Sequence, residues 1–373
     1  MKILVLSCKT GGGHNKAGEM LKQELLKSGH TCIMRDALEF KSKKRANSAS
    51  KLYDNLIGYI PHAFGFVYQL GEIWSASGIL SPVYMANRDF SESLYKYIVK
   101  QKFDAVVATH LFAMEGLWHA RMKYGLKTPL YGLQTDYEAV PFFHEPKLEG
   151  YFVPCQKVKK QMIKKGTDPN KIFITGIPID GSSYEKSTKT SARKKLKIDP
   201  KKKIYLLIPG TITHRYPVKL CKLLLNSVKP NVEIYVMAGN SEKLKKALRK
   251  KYGNNPALKI IDFVDSTKMC LYMTSADVIL AKPGGLVSTE VNTIGTFIVF
   301  TMPIPGVEKI NGRYFSDMGM AIYEPKLKNA VREANDKIDN KKVIKSIISN
   351  QKKYLVTHSA EKVVKVLEQK VAK

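Results

Sequence analysis

The strongest constraint on the fold is a unit that occurs near both ends of the chain: a short apolar run, a glycine-rich turn, then residues at helical spacing. Near the N-terminus, Ile3 to Ser7 runs into Lys9-Thr10-Gly11-Gly12-Gly13-His14, after which Ala17, Met20, Leu21, Leu25 and Leu26 recur along one helix face. Near the C-terminus, the run ending at Leu280 leads through Ala281-Lys282-Pro283-Gly284-Gly285-Leu286 to Glu290. Glycines let the backbone approach a ligand with no Cβ in the way, and the first N–H groups of the following helix, at the positive end of its dipole, point at any anion docked there. Taken singly, either unit reads equally as a tight strand-to-helix turn with no ligand. Their recurrence predicts two similar α/β halves facing each other across a cleft.

The rest of the chain keeps that rhythm. In the first half, apolar runs at Ile3 to Ser7, Thr31 to Met34, Ala105 to Thr109, Leu130 to Gln134, Tyr151 to Pro154 and Ile172 to Thr175 predict strands. In the second half the corresponding runs are Ile204 to Ile208, Glu233 to Ala238, Lys259 to Phe263, Val278 to Ala281, Phe297 to Phe300 and Ala321 to Tyr323. Helical patterns separate them, one of them expected at Gly312 to Met318. Strands that are apolar throughout, rather than alternating, belong to parallel sheets covered on both faces. The turn-rich stretch Gly176 to Ser183 predicts the linker. The expected division is residues 1–178, residues 179–356 and a C-terminal helix in 357–373 that could pack back on the first domain.

With 373 residues the chain is too long for one ordinary core and suits two domains. The five scattered cysteines, without a Cys-x-x-Cys pair, read as buried reduced thiols of a cytosolic protein, and no metal site is expected. No stretch reaches the 18 or so uninterrupted apolar residues of a membrane span, and the first apolar run is too short for a signal peptide.

The formal net charge of +30 needs a partner or a Lys-rich background. Lys43, Lys44 and Arg45 lie in an acid-free basic run that precedes a segment holding Phe64, Phe66 and Trp74 among glycines. This pattern reads either as a surface that docks on anionic lipid, cations on headgroups and aromatics in the interface, or as a partly buried helical pair. Nucleic acid is not expected: there is no zinc finger, RNA-recognition strand or helix-turn-helix spacing, and lysine far outnumbers the arginine that base readout favours.

His14 is the first polar side chain after the glycines, at the edge of a parallel sheet where ligands bind. It is either an exposed or cap-like residue, or a base. Asp136, just beyond a strand, is either a cap or a group that positions a substrate. Phe142 and Phe143 either grip an acyl chain or fill core.

Gly11-Gly12-Gly13-His14, Thr135-Asp136-Tyr137 with Pro141-Phe142-Phe143, Gly176-Ile177-Pro178-Ile179, Lys282 through Glu290, and Ile304-Pro305-Gly306-Val307-Glu308 with Asn311 occur in that order over nearly the whole chain. Together they resemble the monogalactosyldiacylglycerol synthase and processive diacylglycerol glucosyltransferase group of family 28 glycosyltransferases. A more distant resemblance is to the peptidoglycan N-acetylglucosaminyltransferase acting on an undecaprenyl lipid. The resemblance implies a GT-B architecture, two Rossmann-like domains with parallel sheets around a central cleft. It implies a UDP-hexose, glucose or galactose, as donor on the second domain and diacylglycerol as acceptor on the first, with no cofactor or metal.

Carried over by motif, His14 would be the base toward the acceptor hydroxyl, Asp136 would take part in catalysis or position the acceptor, and Gly12, Gly13, Phe142 and Phe143 would lie near the acceptor. Gly284, Gly285 and Leu286 would meet the diphosphate, Glu290 the ribose, and Glu308 and Asn311 the sugar. A direct attack on the α-linked donor would invert it to a β-glycoside. The enzyme would sit peripherally on the inner face of the cell membrane.

Two departures bear on the donor. The turn Pro209-Gly210-Thr211-Ile212-Thr213-His214-Arg215 keeps one glycine where the family has several, so Thr211 and Arg215 would substitute for backbone contacts. Val307 stands where a glutamine is common, which opens the choice of hexose. Another lipid-linked acceptor, such as an undecaprenyl precursor, and a catalytically weakened membrane-binding relative remain the alternatives.

Overall fold

The computed structural model describes residues 1–8, 12–41, 70–71, 74–75, 80–180, 187–210, 212–228 and 230–371. The chain divides into two compact units, Met1–Ile179 with Val356–Lys373, and Asp180–Leu355.

The first unit is built from β1 (Lys2–Ser7), α1 (Gly12–Lys27), β2 (Thr31–Asp36), α2 (Pro82–Ala86), α3 (Ser91–Gln101), β3 (Ala105–Ala108), α4 (Leu111–Tyr124), β4 (Leu130–Leu133), β5 (Gly150–Val153), α5 (Gln156–Lys164) and β6 (Ile172–Ile174). Its strands form one six-stranded sheet in the order β2-β1-β3-β4-β5-β6, every pairing parallel. Ile3, Leu4, Val5 and Leu6 on β1 and Ala105 to Ala108 on β3 are all fully buried, which is why these strands carry no polar alternation. The C-terminal helix Ser359–Val371 belongs to this unit and packs on α1, burying Val363, Val364 and Leu367.

The second unit holds α6 (Lys189–Leu196), β7 (Lys203–Ile208), α7 (Arg215–Leu225), β8 (Val232–Gly239), α8 (Glu242–Tyr252), β9 (Leu258–Asp262), α9 (Ser266–Ser275), β10 (Val278–Ala281), α10 (Gly285–Ile294), β11 (Ile298–Phe300), α11 (Val307–Asp317), β12 (Ile322–Tyr323), α12 (Leu327–Lys337) and α13 (Lys341–Tyr354). Its sheet runs β12-β11-β10-β7-β8-β9, again wholly parallel. Both units are Rossmann-like, as the apolar runs predict. Fully burying each Ile, Leu or Val of these strands contributes roughly 1.5–3 kcal/mol, so the central strands are where truncation costs most.

α6 and α11 differ from expectation. α6 has the sequence KTSARKKL, which carries no apolar stripe for a periodicity search to find; it is held by the Thr188 cap on Ser191 N–H and by Arg193, which donates to Asp277 at 2.7 Å. α11 starts at Val307 rather than Gly312. Gly312 lies inside this helix, where the Tyr323 ring, 2.5 Å from the position of a Cβ, leaves room for no side chain.

Among the described residues no helix is long and apolar enough to cross a membrane. Lys43, Lys44, Arg45, Phe64 and Phe66 of the basic-aromatic segment lie outside the described residues, as does Thr211. Trp74 is described and 44% exposed. All five cysteines are buried free thiols, and burial pushes Cys32 and Cys221 up to about 12, which makes them unreactive.

Candidate functional site

Each sheet has one point where the chain reverses its direction of travel. In the first unit it falls between β1 and β3, and in the second between β7 and β10. Loops leaving the carboxyl ends of the strands part there and open a crevice, which is where open α/β sheets hold ligands.

At the first switch point the loop after β1 enters α1, and His14 follows the two glycines that open this helix. A Cβ on Gly12 or Gly13 would meet nothing within 4 Å, so packing inside the protein gives no reason for glycine there. No acidic residue occupies the first turn of α1, so its dipole end keeps its positive character. His14 is half-buried. Its Nδ1 lies 2.8 Å from the carbonyl oxygen of Thr109, at the end of β3, and 2.9 Å from the hydroxyl of Thr135, at the end of β4. A carbonyl can only accept, so Nδ1 carries the proton and Nε2 holds the lone pair. Burial lowers the His14 pKa, opposed by the Asp136 carboxylate and the Thr109 carbonyl, so the ring is neutral at neutral pH. The sequence-predicted pair, His14 and Asp136, is thus brought together in one electrostatic neighbourhood.

His110 completes the group and was not anticipated. Its ring meets His14 edge-on, with centroids 4.6 Å apart and planes at 76°. Its Nδ1 accepts from the Phe112 N–H at 3.1 Å and so caps α4, which puts its proton on Nε2. Burial, and then the neighbouring His14, hold it well below the ordinary imidazole range. The signal for it was available: His110 directly follows the predicted strand Ala105 to Thr109. Only the strand order, which sets β3 beside β1, turns that into proximity.

Phe142 and Phe143 are both buried. Phe143 packs on Tyr151, with centroids 6.1 Å apart. Phe142 instead lies in the wall of a cavity of about 630 Å³ that also involves Leu80, Trp118, His144, Lys147 and Lys165. Burial, followed by Lys165 and Lys147, pushes the His144 pKa down to about 4.

At the second switch point Gly210 follows β7 with φ +59°, a conformation that favours glycine, and is exposed. Arg215, also exposed, opens α7. After β10, Lys282-Pro283-Gly284 leads into α10, which Gly284 caps without any side-chain hydrogen bond and whose first turn holds no acid. Asn311, fully buried on α11, donates from Nδ2 to the Pro283 carbonyl at 3.1 Å and so fixes this turn. Glu308, on the first turn of α11, accepts the Ile304 N–H at 2.7 Å through Oε2 and pairs through Oε1 with Lys282 Nζ at 2.8 Å. Gly285 is buried, Leu286 half-buried, and Glu290 is 9% exposed further along α10. Gly210, Gly284, Gly285, Leu286, Glu308 and Asn311 therefore lie on turns and helix starts that follow β7, β10 and β11, three adjacent strands. Among the described residues no group of three or more His, Cys, Asp and Glu side chains could hold a metal.

Two Rossmann-like units, each with a helix start free of acid at its switch point, define the fold class of the GT-B glycosyltransferases. A family model described as monogalactosyldiacylglycerol synthase matches residues 14–179, and one described as UDP-N-acetylglucosamine 2-epimerase matches residues 149–368. The chain belongs to the monogalactosyldiacylglycerol synthase and processive diacylglycerol glucosyltransferase group, and across 149–368 to the family of the UDP-N-acetylglucosamine 2-epimerase model. It is 25% identical to a processive diacylglycerol beta-glucosyltransferase of Bacillus pumilus, over 99% of this chain and 95% of that one. Among solved structures it is similar to Acinetobacter baumannii MurG, with TM-score 0.67, 14% identity and 99% of each chain covered. It is also similar to S. aureus MnaA in complex with UDP, with TM-score 0.69, 12% identity and 100% and 97% covered.

Proposed function

We propose that this protein transfers a hexose from a UDP-hexose to the hydroxyl of diacylglycerol, with inversion, to make a membrane glycolipid. The observation that carries this reading is the orientation of His14: with Nδ1–H spent on Thr109, the basic Nε2 is left to take a proton. An alcohol is a poor nucleophile at neutral pH, and a positioned neutral imidazole contributes roughly 10²–10⁴-fold by general-base assistance. Asp136 stabilises the imidazolium that forms. The second unit supplies the donor site, where the first turn of α10 and its glycines receive the negative charge of the departing UDP. Glu290 holds the ribose, and Arg215, Glu308 and Asn311 lie near the diphosphate and sugar. Direct attack without a covalent intermediate turns an α-linked donor into a β-glycoside.

Diacylglycerol as acceptor rests on the relatives, named diacylglycerol beta-glucosyltransferases over nearly the full length of this chain. The same names favour glucose over galactose. The cavity bordered by Phe142, Trp118 and Leu80 offers apolar surface for such an acceptor. The enzyme then works peripherally at the inner membrane face, its cations on anionic headgroups.

A second reading, inversion at C2 of UDP-N-acetylglucosamine without an acceptor, is favoured by the family model over residues 149–368. Labelled UDP-glucose, UDP-galactose and UDP-N-acetylglucosamine, each incubated with and without diacylglycerol in mixed anionic vesicles, separate the two. A labelled β-glycolipid formed only with diacylglycerol is expected. A C2-epimer of the sugar formed without acceptor would overturn the transfer reading, and a product made only on an undecaprenyl phosphate lipid would reassign the acceptor.

A further inference from the structure

Within the second unit, one side chain sits at the switch point with its charge already committed. Lys282, the first residue after β10, pairs with Glu308 at 2.8 Å, and the two side chains are only 12% and 11% exposed. Its stem runs past the turn after β7: a Cβ at Gly210 would stand 3.2 Å from Lys282 Cε. The ammonium group therefore bridges the turns after β7, β10 and β11, the point on this sheet where a nucleotide's phosphates belong. We propose that Lys282 is a ligand of the donor's diphosphate, and that donor binding exchanges the Glu308 carboxylate for the diphosphate and leaves Glu308 to the sugar hydroxyls. The proposal rests on the donor site assigned to this unit above.

Three features of the pair make the exchange favourable. Glu308 is anchored independently, because its Oε2 accepts the Ile304 N–H at 2.7 Å, so it keeps its place when Lys282 leaves. Lysine is a point charge on a flexible four-carbon stem and can swing, where a bidentate arginine would be fixed. A diphosphate carries more negative charge than one carboxylate and outcompetes it for a poorly hydrated ammonium. Without a donor, the pair keeps either charge from being buried alone, the costly alternative. The Oε1 atom released by Lys282 becomes an acceptor for sugar hydroxyls, so the nucleotide's arrival prepares the sugar subsite.

The test is calorimetric titration of the full-length protein with UDP and, separately, uridine, which lacks the phosphates. Lys282→Gln is expected to weaken UDP about ten-fold or more, the scale of a charge-assisted contact, while uridine affinity changes less than about two-fold. Lys282→Arg should restore most of the UDP affinity. Glu308→Gln, which releases the ammonium, should tighten UDP while weakening UDP-hexose relative to UDP. A purely structural ion pair predicts otherwise: both variants would lose UDP and uridine alike, and that result overturns the proposal. Tighter UDP binding by Glu308→Gln supports it even if Lys282→Gln fails to fold, and unchanged or weaker binding counts against it. Wild-type protein that binds uridine but gains nothing from the phosphates overturns the proposal alone; wild type that binds neither overturns the donor site itself.

Discussion

The two sheets place their switch points alike and furnish them with opposite chemistry. The first gathers proton-handling groups: His14, His110, Thr135 and Asp136 follow β1, β3 and β4, and burial keeps both imidazoles neutral. The second presents exposed Gly210, a helix start capped by Gly284 with no side-chain hydrogen bond, and the Lys282–Glu308 pair. One backbone plan thus yields a site suited to moving a proton and a site suited to receiving an anion. What differs is the handful of residues just beyond the strands, since ligand chemistry in such sheets is written in loops while the strands are written in packing.

The sharpest way to break this division of labour is to cripple each unit in turn. His14→Ala should lower kcat about 10²- to 10⁴-fold while leaving UDP affinity within about two-fold. Glu290→Ala should do the reverse, raising the donor KM and weakening UDP with no change in the NMR titration of His14. If His14→Ala abolishes UDP binding, or Glu290→Ala leaves it intact, the assignment of roles is wrong.

A second contrast concerns stability. Glu115, fully buried on α4, has its pKa pushed up to about 9 by burial and then by Glu145. Below the ordinary carboxyl pKa both folded and unfolded chains are protonated and it costs nothing. From there to about 9 the unfolded chain ionises while the folded one stays neutral, so stability falls by at most about 1.4 kcal/mol per pH unit. Glu115→Gln removes that slope and should stabilise the protein at pH 8 more than at pH 5, by a few kcal/mol at most. Hydrogen exchange in β3 and β4 between those pH values reads it; equal effects at both would show that the carboxyl is ionised in the folded state.

The smallest expected effect is a displacement of the pH profile. Burial lowers the His14 pKa, so the acid limb of kcat should have its midpoint below 6.5 and the rate should be flat at neutral pH. Asp136 opposes that lowering, so Asp136→Asn should move the limb further to acid. A shift toward alkaline pH would mean that Asp136 does not act on His14 through its charge.

The strands were legible because parallel strands covered on both faces carry unbroken apolar runs, so Val278-Ile279-Leu280 announced β10 without context. Helices with an apolar stripe were legible for the same reason; α6, nearly all polar, was not. Gly312 misled because an isolated glycine reads as a boundary, whereas here it yields to the Tyr323 ring. In the sites, a residue beside a glycine turn could be singled out from local sequence, as His14 was. Its partners could not: Thr109 and Thr135 are 95 and 121 positions away and reach it only through the strand order. Lys282 was visible in its motif, but its role depends on Glu308 and Gly210, which two other strands deliver.

A general-base role for His14 requires its proton to sit on Nδ1. Nitrogen NMR of histidine-labelled protein, with His14→Gln to assign the signal, measures this directly. A neutral ring at pH 7 with the proton on Nδ1 and a midpoint below 6.5 is the predicted result. A proton on Nε2, or a ring still charged at pH 7, would contradict it.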